Sequence, residues 1–228
     1  MYVLCIANKN YSSWSLRPWV LMRELEIAFE ERLVPFEPGP VQKAFRSFSP
    51  SGKVPCLLDG SSCVWDSLAI TEYLAERHLD VWPARPEART WARSAAAEMH
   101  SGFSALRNDC PMNCGVRIRL DTVSEPLAND LERLEALWNE GLERFGGPFL
   151  AGKRFTAADA FFAPVAFRIQ SYGLKLFARS AQYAARLLEV PAMRRWYADA
   201  LAETWRDSDH EAEVLRTGKV VADLRESP

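Results

Sequence analysis

Groups able to hold an anion crowd into one stretch near the start, "NKNYSSWSLRPWV", residues 8–20. Ser12, Ser13 and Ser15 lie within four positions of one another, just ahead of a helical pattern. Pro18 helps to place the start of that helix. Proline is tolerated in a helix's first turn, where its missing N–H is not needed, and costs about 3 kcal/mol deeper in. The helix is therefore predicted to begin between Trp14 and Arg17, with Ser12 and Ser13 at or just outside its positive end. Free backbone N–H groups and the helix dipole favour an anion there. A serine at that place also suits a plain helix cap, and this stretch alone leaves both readings open.

A second stretch, "SGKVPCLLDGSSCVWDSLAITEYLAE", joins Val54-Pro55 at a strand entry to Asp66-Ser67 at a helix start. A cis proline before a strand turns the preceding backbone outward. Val54 could then offer its N–H and C=O to a ligand's peptide unit, as an added strand does. Ser67 could donate to a carboxylate at the helix end, and Asp66 could take an ammonium group. The plainer reading makes Pro55 a strand breaker and Asp66 or Ser67 an N-cap.

Other chemistries find less support. His78, His100 and His210 fall in helical or tail segments and form no Ser-His-Asp set. They read as packing or surface residues. Of five cysteines, Cys5, Cys56 and Cys63 lie in strand-like apolar stretches and read as buried thiols. "CPMNC", with Cys110 and Cys114, is neither a redox C-x-x-C nor a metal knuckle. No metal site is expected.

The elements that must position these groups follow from periodicity. "YVLCIA", "FEERLV", "PCLLDG" and "CVW" read as strands; "PWVLMRELEI" and "SLAITEYLAERH" read as helices. The order β-α-β, connector, β-β-α predicts a four-stranded mixed sheet, parallel across the βαβ unit and antiparallel across the short turn. "DVWPARPEAR" is a proline-marked junction, and the chain beyond it has helical spacing. Ala88, Ala92, Ala95, Met99, Phe103 and Leu106 repeat as one helix, and Leu127 to Phe145 as another. Thr156 with Asp159 forms an Asp version of the capping box before an almost wholly apolar helix, which should be the buried centre of this half. "VPAMRRWYADALAETW" closes the bundle. After Arg206 the chain is polar and is predicted to lie over the surface. The expected units are residues 1–80, a linker at 81–87, and a helical unit at 88–228.

Composition is that of a globular protein, 48% hydrophobic and 25% charged, with formal net charge -2 and interspersed signs. No basic block suggests nucleic acid or polybasic membrane attachment. No apolar run approaches the roughly 20 residues that span a bilayer. The start, "MYVLCIANKN", lacks signal-peptide features. A cytoplasmic location is expected.

With the serines before the first helix, "KVP", "DSLAI" and "TAAD" in this order, the chain resembles cytosolic glutathione transferases from Tyr2 to about Trp205. The likeness is greatest to the serine-type zeta and tau classes, in which "SSxxxR" leads into the first helix. It implies a thioredoxin-like α/β N-terminal domain with a four-stranded mixed sheet, an all-α C-terminal helical bundle, and a homodimer. It further implies that Ser12 is the catalytic serine, with Ser13 the neighbouring hydroxyl. Val54 and Pro55 would clamp the cysteinyl unit of glutathione. Asp66 and Ser67 would hold the γ-glutamyl group, and Lys53 would reach the glycyl carboxylate, with Gln42 or Lys43 assisting. Glutathione is the implied co-substrate, beside a small hydrophobic electrophile. Two departures matter. Trp14 replaces the cysteine of the zeta "SSC", which weakens maleylacetoacetate isomerisation as the reaction. Serine rather than cysteine at position 12 argues against thiol exchange.

A glutathione thiol with a free pKa of about 8.5 needs roughly 2.7 kcal/mol to ionise at neutral pH. A serine donor supplies about 1.5–3 kcal/mol to an anion, and a helix N-terminus up to about 2. The electrophile pocket is expected between the sheet and the helix carrying His100, Phe103, Ser104 and Arg107, with Trp14, Arg17 and Trp19 nearby. A glutathione-binding protein without turnover and a structural adaptor of the same fold are the alternatives.

Overall fold

The computed structural model describes residues 1–39 and 41–227. Strand β1 (Tyr2–Ile6), helix α1 (Ser13–Glu24) and strand β2 (Phe29–Leu33) form the βαβ unit, with β1 and β2 parallel from Tyr2 opposite Phe29 to Ile6 opposite Leu33. Strands β3 (Cys56–Asp59) and β4 (Ser62–Val64) add antiparallel on the other side, giving the order β2-β1-β3-β4. Helix α2 (Ser67–Ala75) follows. Leu4, Cys5, Ile6, Cys56 and Leu57 are buried, as an inner strand pair covered on both faces requires.

The remaining helices are α3 (Pro86–Ser101), α4 (Ser104–Asp109), α5 (Glu125–Phe145), α6 (Ala157–Tyr172), α7 (Ala178–Glu189), α8 (Pro191–Ala202) and α9 (Ser208–Leu215). The apolar α6 is the buried centre, packed against α1, α3 and α7. Its capping box is formed as the sequence predicts. Asp159 accepts from Thr156 N (2.9 Å), Thr156 Oγ1 (3.2 Å), Leu150 N (3.0 Å) and Tyr183 Oη (2.9 Å). Helix α8 also packs on α1, with Trp19 and Trp196 edge-to-face at 5.1 Å. Beneath them Lys9 is buried between Glu31 (2.8 Å) and Asp199 (2.7 Å). Val81 and Trp82, in the junction before α3, are buried too. Helix α1 is thus held between the sheet and α6, which fixes its N-terminus.

Four local expectations are corrected. Helix α1 begins at Ser13, one residue before the predicted window, and Pro18 lies inside it. Burial of Leu16, Trp19, Val20 and Leu21 outweighs the penalty of a proline in the second turn. The single helix predicted through Leu106 is two. Gly102 ends α3 and Phe103 adopts a left-handed conformation (φ 57°), after which α4 sets off anew. A Cβ on Gly102 would lie 2.9 Å from the Glu98 carbonyl, so the break needs glycine there. The polar chain after Arg206 does not simply lie over the surface. It forms α9 and a strand β6 (Gly218–Asp223) that pairs antiparallel with β5 (Val116–Leu120). This ribbon interrupts an otherwise helical half, because alternation in "VRIRL" and "KVVAD" is a strand pattern. Cys63 is only half-buried, whereas Cys5 and Cys56 are fully buried.

Candidate active site at the first helix

A cleft of about 340 Å³ opens at the N-terminus of α1. Ser12, Ser13 and Trp14 form its floor, Lys53, Val54 and Gln42 one wall, and Arg107, Met112 and Arg168 the opposite wall. A larger hollow of about 680 Å³ lies at the other end of α1, around Glu24, Trp82, Phe145 and Arg154. Its one hydroxyl, Thr156, is committed to the α6 cap, so the smaller cleft is the chemically equipped one.

Ser12 occupies the N-cap position, yet its side chain makes no capping bond. Its Oγ lies 2.7 Å from Ser15 Oγ, which itself accepts from Ala7 N at 3.4 Å. In the free protein Ser12 Oγ donates this bond to Ser15 Oγ, and the hydroxyl proton rotates toward the cleft when an anion there replaces that acceptor. Ser13, the first helical residue, accepts from the Arg168 guanidinium at 3.4 Å. Among the described residues the main chain of Val54 makes no hydrogen bond, and the Val54–Pro55 peptide is cis. An edge-facing N–H and C=O are therefore available at the cleft wall.

Asp66 performs the plain capping role after all, accepting from Leu68 N (2.9 Å) and Ala69 N (3.3 Å) through Oδ1. Its Oδ2 remains exposed, 3.3 Å from His100 Nε2. Ser67 is fully buried, and its Oγ has no partner among the described residues. These two residues and Pro55 do not line the cleft itself. Asp66 is connected to the cleft through His100, whose ring meets Trp14 edge-on at 5.2 Å. Burial holds the His100 imidazole below its ordinary pKa, with Asp66 pulling it up and Arg17 and Arg107 pushing it down.

The break after α3 scatters the expected electrophile wall. Arg107 and Trp14 line the cleft, but Phe103 is buried in the core and Ser104 is exposed away from it. Two further residues come from where no sequence signal pointed. Arg168, on α6, sits inside a helix that reads as apolar nearly all round. His210, in α9, also lines the cleft, stacked on Tyr11 at 5.0 Å and tilted against Phe36 at 4.6 Å. Asp207 Oδ2 fixes His210 Nδ1 at 2.6 Å, while Glu211 accepts from Tyr11 Oη at 2.6 Å and from Asn113. The polar C-terminal segment is thereby latched to the loop before α1. Truncating His210 to alanine removes a stacking worth about 1 kcal/mol. Amide exchange across α9 is expected to quicken about fivefold, measured by mass spectrometry.

With the geometry described, similarity to known proteins can be placed on it. The family model for the glutathione S-transferase N-terminal domain matches residues 11–77, and that for the C-terminal domain matches residues 118–199. A probable maleylacetoacetate isomerase of Vibrio cholerae is 25% identical over 212 residues, covering 86% of this chain and 94% of that protein. Among solved structures, a glutathione transferase homolog from Burkholderia GL BGR1 with bound glutathione aligns with TM-score 0.65 and 21% identity, covering 87% of this chain and 97% of that one. The theta-class glutathione S-transferase of Xanthomonas axonopodis pv. citri, with glutathione bound, aligns with TM-score 0.61 and 23% identity over 86% of this chain and 96% of that one. At these identities the structures establish the fold, a thioredoxin-like sheet domain plus a helical domain.

Proposed function

Since the chain belongs to the glutathione S-transferase family, with both of the family's domains, we propose that its serine-floored cleft binds glutathione and presents the thiolate to a small electrophile. The observation that carries this reading is the meeting, in one cleft, of uncapped Ser12, the N-terminus of α1 and the unpaired main chain of Val54. The cysteinyl peptide unit pairs with Val54, which brings its sulfur toward Ser12. Lys53 and Gln42, which line the same cleft, would meet the glycyl carboxylate. The γ-glutamyl group reaches past Trp14 to the exposed Oδ2 of Asp66, beside His100, and to the unpartnered hydroxyl of Ser67.

Ser12 acts as a donor and not as a nucleophile. The thiol proton leaves to solvent, the thiolate forms a C–S bond with the electrophilic carbon, and a leaving group departs with its bonding pair. Donation from Ser12 and the dipole of α1 together stabilise the sulfur anion by about 2–4 kcal/mol, enough for a shift near two pH units. No general base is required. Homodimer formation belongs to the same proposal, on family grounds.

The test is the thiolate ultraviolet absorbance of glutathione bound to the protein, titrated against pH. A midpoint well below free glutathione's supports an activating site. Binding with an unshifted midpoint would instead mark a carrier, and absence of binding would sink the reading altogether. Ser15 accepts the Ser12 proton in the free protein and so competes with the sulfur for it; Ser15→Ala is expected to lower the bound thiol's midpoint by about half a unit, since one neutral hydrogen bond contributes about 1 kcal/mol. The same titration measures it.

A further inference from the structure

Two arginines from different helices pack on the indole of Trp14, and a third, from another helix, reaches the neighbouring Ser13. The Arg17 guanidinium of α1 lies 4.2 Å from its ring centroid and 5.0 Å from that of Phe161. The Arg107 guanidinium of α4 lies 4.8 Å from the same indole. Arg168 of α6 reaches Ser13 next to it. Arg17 and Arg168 are 1% and 4% exposed. Among the described residues none of the three is ion-paired. Arg17 has no hydrogen-bond partner on any of its nitrogens, Arg107 donates to the carbonyls of Gly102 and Met99, and Arg168 to the carbonyl of Cys110 and to Ser13.

The neighbouring carboxylates offset this charge only in part: Asp66 favours the Arg17 cation and Asp130 the Arg107 cation, and neither forms an ion pair with them. Asp66 is engaged with the α2 cap and His100, Asp130 accepts from Leu106 N, and Glu213 lines the same cleft without an ion pair to any of the three. Buried charges are ordinarily paired, and mutually repelling guanidinium groups more urgently so. Burial first, and then the two neighbouring guanidinium groups, lower the pKa of Arg17. Burial and Arg107 together bring Arg168 down to about 10. A guanidinium group is a cation at neutral pH.

Glutathione alone does not answer this cluster. Its sulfur brings one negative charge to Ser12, its glycyl carboxylate faces Lys53, and its γ-glutamyl end faces Asp66 and Ser67. Two of the guanidinium groups, Arg107 and Arg168, line the cleft from the helical half, the side that the glutathione reading leaves to a second substrate. We propose that this arginine wall receives a carboxylate of the second substrate, so that the electrophile is a small organic acid and not a purely hydrophobic molecule. The proposal rests on the glutathione reading above. Arginine's planar fork matches a carboxylate in two-point geometry. At about 340 Å³ the cleft is at the small end of ligand pockets, which suits a compact acid.

The probes are two glutathione conjugates of nearly equal shape, S-carboxypropyl glutathione and its neutral isostere S-isohexyl glutathione, compared by calorimetry. Wild type is expected to bind the carboxypropyl conjugate at least about tenfold more tightly, the lower limit for charge-assisted hydrogen bonding. Arg107→Gln and Arg168→Gln should each remove most of that preference while the isohexyl conjugate still binds. The retained neutral binding reports that each variant is folded. Equal binding of the two conjugates by wild type overturns the inference and leaves the glutathione reading intact. A preference untouched by both substitutions overturns it as well, because the anion would then sit elsewhere. Failure of both conjugates and of glutathione itself removes the underlying reading, and the inference with it.

Discussion

Replacing Ser12 with alanine is expected to raise the thiol midpoint of bound glutathione by about one to two pH units, back toward 8.5. The rate of conjugation at neutral pH should fall by about 10- to 100-fold, since loss of about 1.4 kcal/mol of thiolate stabilisation is a factor of ten. Glutathione affinity should change little, because Val54 and the polar groups at either end provide most of the binding. Stability should change little as well. Ser12 makes no side-chain cap on α1, so the penalty of about 1 kcal/mol for losing a capping serine does not apply. The comparison with Ser13→Ala is decisive, because Ser13 lies at the same cleft. Thiolate titration of both variants separates them. An unshifted midpoint in Ser12→Ala together with a raised one in Ser13→Ala would transfer the role to Ser13.

The largest stability effect is expected far from the cleft, at Asp159. Its carboxylate satisfies two backbone N–H groups and the hydroxyls of Thr156 and Tyr183, all inside the core. Asp159→Ala strands these donors and removes the cap of the central helix, a loss of about 3–5 kcal/mol. Chemical denaturation at pH 7 measures it, and a loss below about 1 kcal/mol would contradict the account. A pH signature accompanies it. Burial lifts the Asp159 pKa from 3.8 to about 6, with the four donors opposing that rise. Between those values the folded chain holds a proton that the unfolded chain has released. Stability from this group therefore decreases as pH rises through about 4 to 6, and is level above that window. Asp159→Asn, which cannot titrate, should lack that slope while retaining part of the cap. Denaturation curves at pH 4.5 and pH 7 for wild type and Asp159→Asn isolate the difference.

The same residues show how far one-dimensional reading carries. The mixed sheet was legible because strand alternation and a βαβ order leave few ways to pair four short strands. The α6 cap was legible because a capping box is a contact between residues three apart. Ser12, Val54 and Asp66 were legible because each sits at an element's end, where the exposed backbone or dipole advertises itself. The break at Gly102 was not, since Ala88 to Leu106 keeps helical spacing straight through it. His210 and Arg168 were not, since a histidine in a polar tail and an arginine in an apolar helix carry no local mark of their destination.

By itself, then, the sequence determined the order of elements in the sheet half, the positive helix end bearing two serines, and the backbone turn at Val54-Pro55. Those features depend on neighbours a few residues apart. Only the tertiary structure decided which groups face those serines: that α6 brings Arg168 to Ser13 across 155 residues, that α9 closes over Tyr11, and that Phe103 is core. Such contacts arise from burying one helix face against another, and side chains distant in the chain meet there only once that packing is fixed.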